Sequence, residues 1–429
     1  MFGFANFLLL ALFAAAVFDL IFALARGGGL RGALHGLWKT PHLLFGQQLA
    51  EWRLQLGRIL FAAGLAAYEI SVVFCNSMAR QNWAWVQGMM SPVLEWLAFL
   101  CFGAKILFGT RYTWRELLAG GALYFIARWV YFNSQNIWWI GIVVAVLAAK
   151  DVPLRRPLQV YFASGCAAMA VVLALHFAGI VAPDLTSERM GALRGTYGYG
   201  HPNTFGGLVF GLVLAYALLR AQKVRWVDCL LVFAVGVFLL VGPASRSAAL
   251  CTLALAVGLV FCRLRAGHSV PRWWPGTCAG MVGLTAAVSY LLPLLVIKVG
   301  PWNNDIGPAW LAKLDSLLTC RISLTWMAYR LLDVKIAGQV FNWPTVDNSF
   351  AFALFQFGPV VAALLGILFA AALLGHAKQG RRVEVCCLFA MLAYAYMEVQ
   401  PFHLTTNPTA LLLCGAVFAQ TSARWQKIE

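Results

Sequence analysis

Residues 226–263 read WVDCLLVFAVGVFLLVGPASRSAALCTLALAVGLVFCR, two apolar runs joined by Gly242-Pro243-Ala244-Ser245-Arg246-Ser247. Each run falls in the range of about 17–25 residues that crosses the hydrocarbon core of a bilayer. Gly242-Pro243 ends the first run as a helix, because proline lacks an amide hydrogen and disfavours helical backbone before it. The segment therefore predicts two spanning helices with Arg246 at their junction.

The same pattern extends over the whole chain. Of its 429 residues 62% are hydrophobic and only 11% are charged, against roughly 25% charged in soluble domains. Spanning helices are expected near 4–25, 58–78, 92–109, 117–133, 136–149, 158–182, 204–220, 226–242, 247–263, 277–299, 349–375, 384–399 and 408–420. This is an all-α, polytopic transmembrane bundle of about 12–13 helices, read as one domain, with residues 26–57 offering room for an interfacial amphipathic helix. The run 4–25 lacks a basic leader and a small-residue cleavage site, so it reads as a retained helix and not a signal peptide.

The net charge of +16 raises the question of nucleic acid, and its distribution answers it. Most Lys and Arg fall within 26–58, 105–115, 150–156, 220–225, 263–272, 378–382 and 424–427. Each group is separated from the next by enough apolar chain for two crossings, so all lie on one side, as the positive-inside rule requires of cytoplasmic loops. That placement puts the C-terminus in the cytoplasm and leaves no basic stripe for nucleic acid. The external segments are then 79–91, a turn near 134, 183–203, 243–246, 300–348 and 400–407, of which 300–348 is the longest. The 11 cysteines lie almost wholly in apolar runs without a CxxC pair, which indicates neither a disulfide framework nor a metal site.

Ten basic residues run against the orientation bias: Arg80, Arg128, Arg189, Arg194, Arg246, Lys298, Lys313, Arg321, Arg330 and Lys335. Arg246 sits where the next helix presents free amide groups and its positive dipole end, a combination suited to phosphate, although an interfacial Arg that only snorkels is the structural alternative. In Arg194-Gly195-Thr196-Tyr197-Gly198-Tyr199-Gly200-His201-Pro202-Asn203 the glycines allow close approach of a ligand. Tyr197 and Tyr199 offer faces for sugar stacking, Pro202 suits a first helical turn, and Asn203 suits its cap. The structural alternative is an ordinary glycine-rich turn. Asp347 or Asn348 would cap the helix that follows. Glu398 is an acid at membrane depth, for which a nearby Arg is the expected partner, and it leads into Gln400-Pro401-Phe402-His403. Asp19, Glu69, Glu95 and Arg128 read as structural pairs inside the membrane.

Taken in order, Gly198-Tyr199-Gly200-His201-Pro202-Asn203, Ser245-Arg246-Ser247, Arg321-Ile322-Ser323-Leu324, Asp347-Asn348-Ser349 with Gly358, Glu398 and Asn407-Pro408 resemble the bacterial O-antigen polymerase/O-antigen ligase superfamily. The likeness covers about residues 160–415 and is closest to its exopolysaccharide repeat-unit polymerases. It implies a GT-C-like, metal-independent membrane glycosyltransferase in the bacterial cytoplasmic membrane, without a cofactor, that joins polyprenyl-diphosphate-linked oligosaccharide repeat units at the external (periplasmic) face. Carried over, Arg194, Arg246 and Arg321 would clamp the diphosphate, and His201 would orient phosphate or sugar hydroxyls as part of the catalytic set. Tyr197, Tyr199, Asn203, Asn348 and His403 would contact sugar, and Asp347 or Glu398 would take the acceptor's proton. The implied partners are the lipid-linked substrates and a chain-length regulator or flippase. Ligases of the superfamily usually have a longer loop with a functional His, and 300–348 contains none, which favours the polymerase. The competing readings are a ligase that transfers glycan to a lipid or protein, and a lipid-linked oligosaccharide transporter. A transporter would show paired broken helices at the midplane and an internal pseudo-repeat.

Overall fold

The structure, a computed structural model, describes residues 2–26, 29–181, 187–189, 192–296 and 307–418. The helices are α1 Phe2–Ala25, α2 Gly29–Lys39, α3 Ala50–Cys75, α4 Ala79–Asn82, α5 Ser91–Phe108, α6 Trp114–Ser134, α7 Ile137–Ala148, α8 Arg155–Phe177 and α9 Pro202–Leu219. The second half adds α10 Trp226–Val241, α11 Arg246–Leu264, α12 Trp274–Leu291, α13 Ala309–Leu317, α14 Arg321–Leu331, α15 Ser349–Phe352, α16 Pro359–Lys378, α17 Arg382–Met397 and α18 Cys414–Val417. Two short antiparallel ribbons complete the described residues: β1 His42–Leu43 with β2 Arg111–Tyr112, and β3 Ser187–Arg189 with β4 Ala192–Arg194.

Among the described residues eight helical stretches are long and apolar enough to cross a bilayer: Asn6–Ala25, Ala50–Cys75, Val86–Phe108, Arg155–Phe177, Pro202–Leu219, Arg246–Leu264, Trp274–Leu295 and Pro359–Lys378. The chain is a multi-pass membrane protein with an all-helical bundle. Leu10, Phe13, Val227, Val241, Val257 and Ile367 lie bare on its surface, an outward apolar shell that fits lipid and not water.

Local chemistry sets the helix starts. Thr113 and Glu116 form a reciprocal capping box at α6: the Glu116 amide donates to Thr113 Oγ1 at 3.2 Å, and the Thr113 amide to Glu116 Oε2 at 2.9 Å. Asn136 Oδ1 accepts the amides of Trp138 and Trp139 and so opens α7. Small residues let the helices close on one another, since lipid supplies no hydrophobic drive between them. A Cβ on Gly57 of α3 would stand 2.8 Å from the Gly109 backbone after α5, and one on Gly211 of α9 would stand 2.6 Å from the Thr405 carbonyl. Of the suspected intramembrane pairs, Arg128 Nε donates to Asn6 Oδ1 at 2.7 Å between α6 and α1. Asp19 accepts the Phe45 amide at 3.1 Å with His42 Nε2 3.4 Å away.

Two expectations change. The expected helix 349–375 is broken: α15 widens into a π-type turn at Ala353–Phe357, Gly358 takes φ 87°, ψ 163°, and α16 restarts at Pro359. Only glycine adopts that backbone freely, and Pro359 has no amide to continue the preceding helix. The expected helix 408–420 is a 3₁₀ stretch, Pro408–Leu413, followed by the single turn α18; residues 419–429, with the expected cytoplasmic C-terminus, lie outside the described residues. Within the long segment expected at 300–348, the described residues carry α13 and α14, packed on each other through Leu311 and Ile322 against Val296. Residues 26–57 hold the helix α2, as the sequence leaves room for.

Candidate functional site

The helices that meet the candidate motifs alternate in direction. α9 and α11 begin, and α17 ends, at one end of the bundle, so Asn203, Ser247 and Glu398 coincide there. Glu398 leaves α17 in an extended conformation (φ −141°), which turns its side chain back over the starts of α9 and α11. Its Oε1 accepts from Arg321 Nη2 at 2.9 Å, Asn203 Nδ2 at 3.0 Å and Ser247 Oγ at 2.8 Å. Three donors on one oxygen, in a residue only 4% exposed, compensate the burial of a carboxylate.

Asn203 has both ends engaged. While Nδ2 serves Glu398, Oδ1 accepts from Arg194 Nη2 at 2.9 Å and faces Ser245 Oγ at 3.5 Å. Arg194 also donates to the Ala244 carbonyl at 3.2 Å. His201 is the N-terminal cap of α9: its Nδ1 accepts the Asn203 amide at 3.1 Å, which places the proton of a neutral ring on Nε2. Gln400 holds this corner from outside, donating to the Asn203 carbonyl at 3.1 Å and accepting from Tyr394 OH at 2.7 Å.

Arg321 is the first residue of α14. Thr319 (φ 60°) and Cys320 (φ 62°) before it are both left-handed, a strained pair that makes a sharp entry into the helix. A cation at a helix N-terminus opposes the helix dipole. Buried Asp315 offsets this by accepting the amides of Ile322 at 2.7 Å and Ser323 at 3.2 Å. The Arg321 guanidinium donates through Nε to the Met397 carbonyl, through Nη1 to the Thr319 carbonyl and through Nη2 to Glu398. Asp347 Oδ2 lies 3.5 Å from the same Nη2, and its side chain is 26% exposed against 6% for Glu398. Arg246, first in α11 and exposed, stands between Ser245 and Ser247, which face Asn203 and Glu398 respectively.

The structure therefore brings together Arg194, Arg246, Arg321, Asn203, His201, Asp347 and Glu398, and gives other roles to the remaining candidates. Arg321 is not an open anion clamp: most of its donors are spent on two carboxylates and two carbonyls. Tyr199 is fully buried with its ring on Phe205, and Tyr197 stacks on Phe205 at 5.0 Å and lies tilted against Phe238 at 5.8 Å. They pack the loop onto the bundle and offer no open sugar platform. Asn348 is buried as the cap of α15, accepting the amides of Phe350 and Ala351, while its Nδ2 donates to Ser289. His403 packs 3.7 Å from the Trp138 ring, and burial pushes its pKa down to about 3, so it stays neutral.

Asp315, Gln400 and Tyr394 were not singled out in the sequence. Asp315 offered a signal, an acid shortly before Arg321-Ile322-Ser323, whereas Gln400 and Tyr394 act only across the tertiary fold. Beside the site, an apolar crevice of about 100 Å³ runs between α12, α16 and α17 and reaches Ser349, whose hydroxyl donates to the Glu398 carbonyl at 2.6 Å. Among the described residues no three His, Cys, Asp or Glu side chains converge as a metal site would need. No family model, no curated protein and no solved structure matches this chain, and the functional reading rests on the residues around Glu398.

Proposed function

We propose that this chain is a bacterial polysaccharide polymerase, a membrane glycosyltransferase that joins polyprenyl-diphosphate-linked oligosaccharide repeat units. The observation that carries the reading is the convergence on Glu398 of Asn203, Ser247, Arg321 and, through Arg321, Asp347. Each comes from a different one of the stretches that carry the resemblance. In this reading α6, α7, α10, α17 and 408–417 cross as well, for thirteen crossings, with Glu398 at the external face of the cytoplasmic membrane and the basic loops inside.

In the reaction an acceptor sugar hydroxyl attacks the anomeric carbon of the donor glycan. The bond to the diphosphate oxygen breaks, and the proton passes to a carboxylate. Asp347 suits the role of base: it is the more exposed acid, and among the described residues its ion-pair partner is Arg321. Glu398, with three donors on Oε1, instead fixes Arg321, Asn203 and Ser247 in place. The leaving lipid diphosphate gathers negative charge, which Arg246 and the start of α11 meet from one side and Arg194 from another. The crevice at Ser349 offers an apolar path for part of the isoprenoid tail.

The test is purified protein in detergent with its polyprenyl-diphosphate-linked repeat unit, wild type against Arg246→Ala. A ladder of products made by wild type and lost in a folded Arg246→Ala supports the polymerase. A single transfer to a lipid or protein acceptor would replace it with a ligase. No product, but transbilayer movement of the substrate in liposomes, would replace it with a transporter.

A further inference from the structure

At the end of the bundle opposite Glu398, three connections meet: 221–224 after α9, 262–267 leaving α11, and 380–384 entering α17. They enclose a cavity of about 410 Å³ whose charged lining is Lys223, Arg263, Arg381, Arg382 and a single acid, Glu384. Basic loops on one side of a membrane need no ligand, since insertion alone selects them. Here, however, the cations surround a concavity whose wall is built by specific hydrogen bonds. Arg382 donates to the carbonyls of Arg265, His268 and Ser269 and so ties the α11–α12 connection to the first turn of α17. Gly267 (φ 82°) and Gly380 (φ 70°) turn the chain at the two rims. With Arg382 spent on the wall, Lys223 and Arg263 remain exposed and Arg381 half-buried at the opening.

We infer that this pocket binds a phosphate-bearing anion at the membrane face opposite the Glu398 site. Three cations outnumber the one carboxylate, and guanidinium groups match phosphate oxygens in pairs. Because the wall is held by its own bonds, a ligand has less chain to order on binding. The phosphate comes from a soluble diphosphate or from the headgroup of an anionic phospholipid. A lipid tail would have a place, since an apolar crevice lined by Leu154, Leu158, Leu218 and Leu412 shares Arg381 and Glu384 with the pocket. α11 and α17 both run from this pocket to the Glu398 site, and the 19 residues of α11 span roughly 28 Å. A ligand here holds the far ends of the two helices that carry Ser247 and Glu398.

The experiment measures pyrophosphate binding by calorimetry to the full chain in detergent, and retention of phosphatidylglycerol against phosphatidylcholine by native mass spectrometry. Wild type, the Lys223→Ala/Arg263→Ala double variant and Arg246→Ala are compared. The inference expects at least one of the two phosphate ligands to show a binding component that is weakened at least about tenfold in the double variant and retained in Arg246→Ala, which removes only binding at the Glu398 end. Pyrophosphate binding marks a soluble source, and selective phosphatidylglycerol retention alone marks a headgroup. An unchanged unfolding midpoint, with recovery in Lys223→Arg/Arg263→Lys, separates lost charge from misfolding. The inference fails if neither ligand binds or if the double variant binds as wild type does. Binding lost only in Arg246→Ala would overturn it too, while supporting an anion site at the other face, so the two readings fail separately.

Discussion

Arg321 Nη2 and Glu398 Oε1 are 2.9 Å apart across 77 positions of sequence, with side chains 8% and 6% exposed. A buried pair of this kind costs more to break than it contributes when intact, because the survivor is left charged without its partner. Glu398→Ala is expected to destabilise by about 3 kcal/mol, near the low end for buried pairs because Asp347 remains 3.5 Å from Arg321. Arg321→Met combined with Glu398→Ala should cost at least about 1 kcal/mol less than the two single losses summed. Denaturant unfolding in detergent checks it, and strict additivity would remove the coupling.

Asp347→Asn separates chemistry from stability. With Arg321 still held by Glu398, its stability should change by less than about 1 kcal/mol. Turnover of the lipid-linked repeat unit should fall about 10²–10⁴-fold, the usual loss of a general base. Turnover within a few-fold of wild type would return the role of base to Glu398.

Gly358→Ala tests the break between α15 and α16. Gly358 holds φ 87°, and a Cβ there would collide with the Ile336 carbonyl, forcing apart the segment that leads to Asp347. The variant should be destabilised by more than about 2 kcal/mol, from backbone strain and steric overlap together. An unchanged unfolding midpoint would mean that the loop does not dock on this turn.

Tyr199→Phe distinguishes packing from sugar contact. The Tyr199 hydroxyl is buried without a hydrogen-bond partner among the described residues, so its removal should be neutral or stabilising by up to about 1 kcal/mol. Activity should not change. A drop in glycan affinity with unchanged folding would restore Tyr199 as a sugar contact.

His403 supplies a pH dependence. Burial lowers its pKa from the ordinary 6.5 to about 3, so the unfolded chain binds the proton more readily. The corresponding stability is complete above pH 6.5 and is lost progressively as pH falls toward 3. Between pH 7 and 5 wild type should lose more in its unfolding midpoint than His403→Phe does. Equal losses would show that the ring titrates normally.

The multi-pass character and the apolar helices were legible in the sequence, because hydropathy acts on each segment independently of the others. So were the chemical types at the site: an acid ending a helix, a Ser-Arg-Ser and a His-Pro-Asn opening two others. Which of them touch was decided by the tertiary structure. Arg321 reads from its loop as a cation open to an anion, and only the return of α17 brings Glu398 to its guanidinium. Tyr197 and Tyr199 read as stacking faces, and only the position of Phe205 and Phe238 buries them. The Gly358-Pro359 break has a local cause, but that the backbone of Ile336 lies against it is likewise visible only in the tertiary structure. Hydropathy is a property of a segment and its solvent, whereas pairing and burial are properties of two segments and the distance between them.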